Sequence, residues 1–315
     1  MINEKLGIKY PIFCGGMANI TDGLFAAKVS NAGGLGIIGA GGYNAKWMKE
    51  QIDICKKNTN KPFAVNLMLM SPFCDDIAKV IIEERVPIVT TGAGSPNKYI
   101  KMFNEVGIKT IPVVGSVAFA VRAERAGAFA IIAEGMESGG HIGEETTMSL
   151  VSQVVEACNI PVIAAGGIAN GKTFNAALAL GAEGIQAGTI FIASKEAPVS
   201  DSYKNIIVEA KDIDTIVTSR KFGAPIRVYK NERARTYEEV ETKANSMLEL
   251  EFMENEYHKK AVAGELKDGL FMMGESAGLV KSIMSLEEIM EYLVSDAINE
   301  SNIINNKINE LKSIK

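Results

Sequence analysis

Short β-branched runs recur along the first two-thirds of the chain, each ending in glycine or a small polar residue and each followed by a helical pattern. They fall at Pro11–Cys14, Leu35–Ala40, Phe63–Leu69, Ile88–Gly92, Thr110–Val114, Phe129–Glu134, Val162–Ala165 and Gly184–Ala187. Their starts lie 24, 28, 25, 22, 19, 33 and 22 residues apart, room for a strand, a turn and a helix in each unit. Runs such as Ile131-Ile132-Ala133 and Val162-Ile163-Ala164-Ala165 are apolar on both faces, as in parallel strands covered by helices. Stretches between them, Met148–Ala157 and Thr173–Leu180 among them, carry amphipathic helical spacing. Eight consecutive βα units predict an α/β fold of the closed (β/α)8 TIM-barrel type over residues 1–211, in preference to a doubly wound open sheet.

The repeat stops near Asp212. Residues 212–315 hold a strand-like Thr215–Ser219, an acidic helical stretch around Glu238–Glu256, the run Leu270–Leu279 and a terminal Glu/Lys-rich helix. They are expected to form a mainly helical cap, packed on the barrel mouth rather than independent.

A barrel of this kind places its chemistry at the C-terminal ends of its strands. Candidate cofactor-lining positions there are Gly15, Gly16, Met17, Asn66, Thr91, Glu134, Gly166, Gly167, Gly188 and Thr189, with Gly139 and Gly140 on the loop beyond the sixth strand. This glycine-rich rim suits a planar or phosphorylated ligand held by backbone amides. Gly166-Gly167 and Gly188-Thr189 follow the seventh and eighth strands, the usual barrel phosphate position. Only two histidines are present. His258 lies in the acidic helical stretch and is expected to be solvated. His141, between Gly139-Gly140 and Gly143, can exchange a proton near neutral pH and is the candidate catalytic residue.

Two further motifs do not carry their usual meaning. Gly34-Leu35-Gly36-Ile37-Ile38-Gly39 satisfies a dinucleotide-binding pattern but runs through a strand instead of opening a helix. Gly166–Thr173 satisfies the P-loop pattern but belongs to the seventh unit of the repeat, with no Walker-B strand ending in Asp.

Composition narrows the function classes. The 315-residue chain is 47% hydrophobic and 23% charged, as in ordinary globular proteins. A net charge of −5 is a poor match for nucleic acid. No apolar run is long enough to span a membrane, and no signal peptide is visible. Cys14, Cys55, Cys74 and Cys158 form no CxxC pair, and no metal-ligand cluster is evident, so a reduced cytoplasmic protein is expected. Side chains alone do not transfer hydride, so redox chemistry needs a cofactor. The rim suits flavin mononucleotide, and it suits a sugar phosphate equally.

Taken in order, Pro11-Ile12-Phe13-Cys14-Gly15-Gly16-Met17-Ala18, Ala32-Gly33-Gly34-Leu35-Gly36, Pro62-Phe63-Ala64-Val65-Asn66, Ala133–His141 and Ala164-Ala165-Gly166-Gly167-Ile168 resemble the flavin barrels that include nitronate monooxygenase and enoyl-acyl-carrier-protein reductase II. Ser71-Pro72-Phe73, Thr90–Gly94, Ile111–Val114 and Ser276–Leu279 are more similar to the reductase. The resemblance implies FMN, a homodimer, and reduction of the flavin by NADH or NADPH. It further implies hydride delivery to a trans-2-enoyl thioester on acyl carrier protein, as in fatty acid synthesis. The alternative it implies is oxidation of a small nitronate with O2. By the same resemblance His141 works near the flavin, Met272 and Gly274 close the site from the cap, and a monovalent cation is a further cofactor.

The chain departs from the family pattern at Asn19, where an aromatic is common, and at Ile190, where arginine is usual. It departs again at Ala224 in place of histidine and at Glu275 in place of glutamine. Residues 220–235 carry Arg220, Lys221, Arg227, Lys230, Arg233 and Arg235 against Glu232, a candidate docking patch for an acidic carrier protein.

Overall fold

A computed structural model describes every residue except Phe222, Ser313 and Lys315, and all side chains of the rest except those of Met247 and Leu248. Helix α1 (Ile2–Leu6) precedes β1 (Ile12–Cys14), α2 (Gly23–Asn31), β2 (Leu35–Gly39), α3 (Ala45–Asn58) and β3 (Phe63–Met68). Then come α4 (Cys74–Glu83), β4 (Ile88–Gly92), α5 (Asn97–Asn104), β5 (Lys109–Val114), α6 (Val117–Arg125) and β6 (Ile131–Glu134). A two-residue strand β7 (Gly140–His141) leads to α7 (Thr147–Ala157), β8 (Val162–Ala165), α8 (Gly171–Ala179) and β9 (Gly184–Ala187). The remainder is α9 (Thr189–Ile192), α10 (Asp201–Glu209), β10 (Thr215–Thr218), β11 (Ile226–Tyr229), α11 (Glu232–Lys243), α12 (Met247–Ala263) and α13 (Leu286–Lys312).

Strands β1-β2-β3-β4-β5-β6-β8-β9 close into a parallel barrel, β9 pairing back onto β1 through Phe13 and Gln186. Each barrel strand starts and stops within two residues of its sequence-based expectation. Apolar spacing and glycine placement explain that accuracy. Gly36, for example, sits on β2 where a Cβ would lie 1.9 Å from the Ala26 carbonyl of α2. It lets helix and strand touch, and it is not part of a nucleotide loop.

Alternation along each strand separates two cores. Phe13, Leu35, Ile37, Ala64, Ile88, Ile111, Ile132 and Ile163 fill the barrel interior. Phe63, Val65, Leu67 and Val89 face outward onto helices. The N-terminal residues fold into α1, whose Ile2 and Leu6, one turn apart, join the interior core as a plug.

The segment after β9 divides. β10, β11 and β7 form a three-stranded antiparallel sheet, so the loop beyond β6 contributes a strand to the cap. The terminal helix α13 takes a different place. It runs along α8 on the barrel wall, where Asp296 Oδ2 accepts from the Gly171 amide at 2.7 Å and Asn175 donates to the Ala297 carbonyl at 2.7 Å.

Candidate active site

Inward positions change character towards the C-terminal end of the barrel. Below lie Ile and Leu; above lie Gly15, Asn66, Thr90, Glu134 and Gln186. Asn66 is fixed by Thr90, whose hydroxyl donates to Oδ1 at 3.0 Å. A Cβ on Gly16 would lie 2.5 Å from the Asn66 Cβ, so the loop after β1 reaches this depth only as glycine. Met17 is held by its amide donating to Thr21 Oγ1 at 3.1 Å, and its sulfur lies 3.3 Å from where a Cβ on Gly188 would stand.

The expectation for Thr91 is corrected. Side chains alternate along β4, and Thr90 is the inward residue that meets Asn66. Thr91 points to the helix side, buried, its hydroxyl without a partner among the described residues. Gln186, by contrast, escaped the sequence reading. It is the inward residue two positions before Gly188, and its side-chain amide would lie 3.5 Å from a Cβ on Gly15.

The phosphate-turn candidates come together. Gly166 and Gly167 adopt left-handed φ values of +95° and +75°, and a Cβ on Gly166 would meet the Gly135 carbonyl at 2.8 Å. The amides of Gly166, Gly167, Thr189 and Ile190 find no acceptor among the described residues. That is an anion-binding set of donors on two adjacent turns. The P-loop reading fails for a physical reason: Asn170 and Asp296 already cap α8, and Lys172 faces Glu300 at 3.7 Å.

Glu134 ends β6. Burial pushes its carboxyl up to about 7, with the Ser138 hydroxyl pulling the other way. From there the chain turns through Gly139 and Gly140 into β7. A Cβ on Gly139 would collide with Met273 at 2.5 Å, and one on Gly274 with the Glu137 carbonyl at 2.7 Å. The Gly274 amide also donates to Thr189 Oγ1 at 2.9 Å. Met272 lies against Gly140, its sulfur 3.5 Å from the Cβ position. The cap segment, the His141 loop and the α9 turn therefore meet.

His141 pairs with Ile226 of β11. Its side chain is 45% accessible, yet burial lowers its pKa from the usual value, with Glu251 opposing. Both hold for a ring on the wall of a concavity, open to solvent but surrounded by protein. Helix α12 supplies neighbours that the sequence reading did not pick out. Glu254 Oε2 approaches His141 Nε2 at 3.9 Å, and Glu254 is buried. Residues 251, 254 and 258 share a helical face, a spacing visible in sequence only once α12 is known to face the mouth.

His258 is corrected from solvated to buried, and burial lowers its pKa to about 4. Its Nδ1 lies 3.3 Å from Asn19 Nδ2, which also donates to Asn255 at 3.0 Å. Asn19 itself has φ +61°, a conformation asparagine tolerates, and accepts from the Tyr43 hydroxyl at 3.1 Å. The departure at Asn19 thus links the β1 loop to α12.

The basic run is also less exposed than read. Arg227 is buried, donating to the Met136 carbonyl and pairing with Glu275 at 2.9 Å. Arg233 pairs with Asp268 over the Tyr257 ring, and Lys221 donates to the Thr242 and Ala244 carbonyls. Arg220, Lys230 and Arg235 remain exposed. Among the described residues, no group of three or more His, Cys, Asp or Glu side chains is arranged to hold a metal ion, and no helix is long and apolar enough to cross a membrane.

A closed βα barrel with amide donors on its last two turns, a polar floor and a histidine on the rim fits the flavin-dependent oxidoreductase barrels, the class to which the family below belongs. The family model described as nitronate monooxygenase matches residues 1–84 and 74–296, and the chain belongs to that family. A relative from Staphylococcus saprophyticus named "Probable nitronate monooxygenase" is 37% identical over 278 residues, covering 73% of this chain and 78% of its own. FabK from Thermotoga maritima is 47% identical, with a TM-score of 0.94 over 97% of this chain and 98% of its own. Nitroalkane oxidase from Streptomyces ansochromogenes is 25% identical, with a TM-score of 0.87 over 96% and 99%.

Proposed function

We propose that this protein is an FMN-dependent enoyl thioester reductase driven by NADH or NADPH, acting on trans-2-enoyl chains carried by acyl carrier protein. The observation that carries the reading is the position of His141, half open to solvent and paired with Ile226 of the cap sheet, on a loop whose Gly139 meets the cap segment; we read it as the proton carrier. Likeness to FabK, an enoyl-acyl-carrier-protein reductase II, over nearly the full length of both chains supports the substrate class.

The free amides of Gly166, Gly167, Thr189 and Ile190 fit the FMN phosphate. Gly15, Gly16, Met17, Asn66, Glu134, Gln186 and Gly188 fit the body of the flavin at the barrel mouth. Gly139, Gly140, Met272 and Gly274 close the site from the cap side. Bound FMN supplies the hydride chemistry that side chains lack. Asn66, held by Thr90, leaves its amide nitrogen to orient a carbonyl or ring edge. The cap segment would shield the bound flavin from water. His141 gives a proton to the substrate α-carbon once charge develops there. Exposed Arg220, Lys230 and Arg235 offer a smaller docking surface for an acidic carrier protein than the full run would. A homodimer and a bound monovalent cation belong to the same reading.

Nitronate oxidation is the second reading, favoured by the family model and the staphylococcal relatives. There His141 would take the α-proton of a neutral nitroalkane, or face the nitronate formed from it. Glu251 and Glu254 lie beside it; burial raises the pKa of both, and in their ionised form they oppose an anionic substrate more than a neutral thioester. The test is anaerobic NAD(P)H oxidation by FMN-loaded protein with crotonyl thioester. Thioester-dependent oxidation supports reduction; oxygen uptake with propyl-2-nitronate and no thioester-dependent oxidation supports the second reading.

A further inference from the structure

We propose that Glu254 is the positioning residue of His141: it holds the ring with Nε2–H toward its carboxylate and leaves Nδ1 as the nitrogen that exchanges the proton. The inference rests on reading His141 as the proton carrier.

The geometry of Glu254 points this way. Its Oε1 accepts from the Ser219 hydroxyl and from the Tyr237 hydroxyl, the latter at 3.0 Å. Both donors converge on one oxygen. The other, Oε2, is left facing His141 Nε2 at 3.9 Å. That gap exceeds a hydrogen bond, and a closure of about 1 Å or one bridging water completes it. The ring is 45% accessible, whereas the carboxylate is 6% accessible, so the anchor is rigid where the moving part is not.

The anchors are themselves built. Ser219 has φ +59°, a left-handed conformation that serine rarely adopts. Glu241 of α11 holds it there, accepting from the Ser219 amide at 2.8 Å and the Lys221 amide at 2.6 Å. Tyr237, buried on the same helix, keeps its proton because burial and Glu254 push its pKa upward. Helix α11 and the turn after β10 thus converge on one carboxylate oxygen of α12.

The charged and titratable groups facing the pair are few. Glu251, on the same helix as Glu254, raises the His141 pKa, and its own is raised by burial. Burial holds the Glu254 pKa above the usual carboxylate value; the Ser219 and Tyr237 hydroxyls pull it back down, and Glu241 adds a smaller upward push. Burial lowers that of His141. A carboxylate at Nε2 offsets that burial, favours the charged ring and selects the tautomer of the neutral one, the logic of histidine–carboxylate pairs.

The proton step balances as follows. The Nδ1–H bond breaks and a C–H bond forms at the α-carbon, using the electron pair left there when hydride from NAD(P)H reaches the β-carbon. His141 becomes neutral with Nε2–H retained, and solvent returns the proton to Nδ1.

Two histidines make the test direct. Protein labelled with ¹⁵N-histidine reports the tautomer and pKa of each ring, and His141→Gln identifies which signals belong to His141. The wild type is expected to show Nε2–H on neutral His141. Glu254→Gln, which keeps acceptor and shape, is expected to mix the tautomers and lower the His141 pKa by about one unit. It is also expected to lower kcat for thioester reduction about tenfold at neutral pH with KM unchanged. An Nδ1–H tautomer in the wild type, or an unchanged tautomer and pKa in Glu254→Gln, overturns the proposal. If Glu254→Gln does not fold, Tyr237→Phe removes one anchor; a changed tautomer ratio supports the proposal and an unchanged ratio overturns it. These signals are read from the protein without turnover. A shifted tautomer without thioester reduction by the wild type keeps the pair and removes the proposed function. Thioester reduction with an indifferent tautomer does the reverse.

Discussion

The Arg227 guanidinium, buried in the cap sheet, pairs with Glu275 at 2.9 Å while donating to the Met136 carbonyl from two nitrogens. One side chain therefore ties β11, the loop leading to His141 and the cap segment that meets Gly139. Burial lowers the Arg227 pKa, with Glu275 opposing, and the group keeps its charge.

Arg227→Ala strips the Met136 carbonyl of its donors and is expected to cost about 2–3 kcal/mol. FMN retention should fall with it, since the His141 loop loses its tie. Glu275→Gln is expected to cost under about 1 kcal/mol, because Glu275 is half exposed. Thermal melts with and without FMN compare the two.

Thr90 and Thr91 separate the two faces of β4. Thr90→Val frees Asn66 and is expected to weaken FMN uptake several-fold at nearly unchanged stability. Thr91→Val removes a buried hydroxyl that has no partner among the described residues, and should leave uptake unchanged and stability equal or higher. Flavin fluorescence titration and melting temperature report both.

Gly16→Ala drives a methyl into the Asn66 side chain, which lies 2.5 Å away from the Cβ position. Loss of tight FMN binding in a protein that still folds is the expected result. Absorbance after desalting measures it.

His258 is buried and neutral, with a pKa of about 4 against 6.5 unfolded. Above pH 6.5 neither state is charged, so the residue contributes no pH dependence. As pH falls from 6.5 towards 4, the unfolded chain takes up the proton first and the fold loses stability, on the order of 3 kcal/mol by pH 4. Glu134, raised to about 7, acts in the opposite sense: its contribution is present below about pH 4.5 and is lost as pH rises to about 7. His258→Gln should flatten the loss between pH 6.5 and 4 in denaturant unfolding.

The barrel was legible because its information is local and periodic. Eight apolar runs with glycine at their ends set strand positions to within two residues. The glycines of the rim were legible for the same reason. What escaped needed three dimensions. That Thr90 and not Thr91 is inward is not visible in sequence, because a strand's inward face is fixed by its neighbours, here Asn66. β7 is two residues long and has no period to detect. His258 lies in a charged helical stretch whose buried face depends on contact with Asn19, 239 residues away. Arg227 read as surface charge because its partners, Met136 and Glu275, are remote in sequence.

The central claim is tested most directly by one comparison: kcat/KM for crotonyl thioester with NADH under anaerobic conditions, against kcat/KM for propyl-2-nitronate with oxygen, on the same FMN-loaded preparation. The account predicts thioester-dependent NADH oxidation that His141→Gln lowers at least a hundredfold, the scale of a lost general acid, with nitronate turnover far slower. Rapid nitronate turnover with no thioester-dependent NADH oxidation would contradict it.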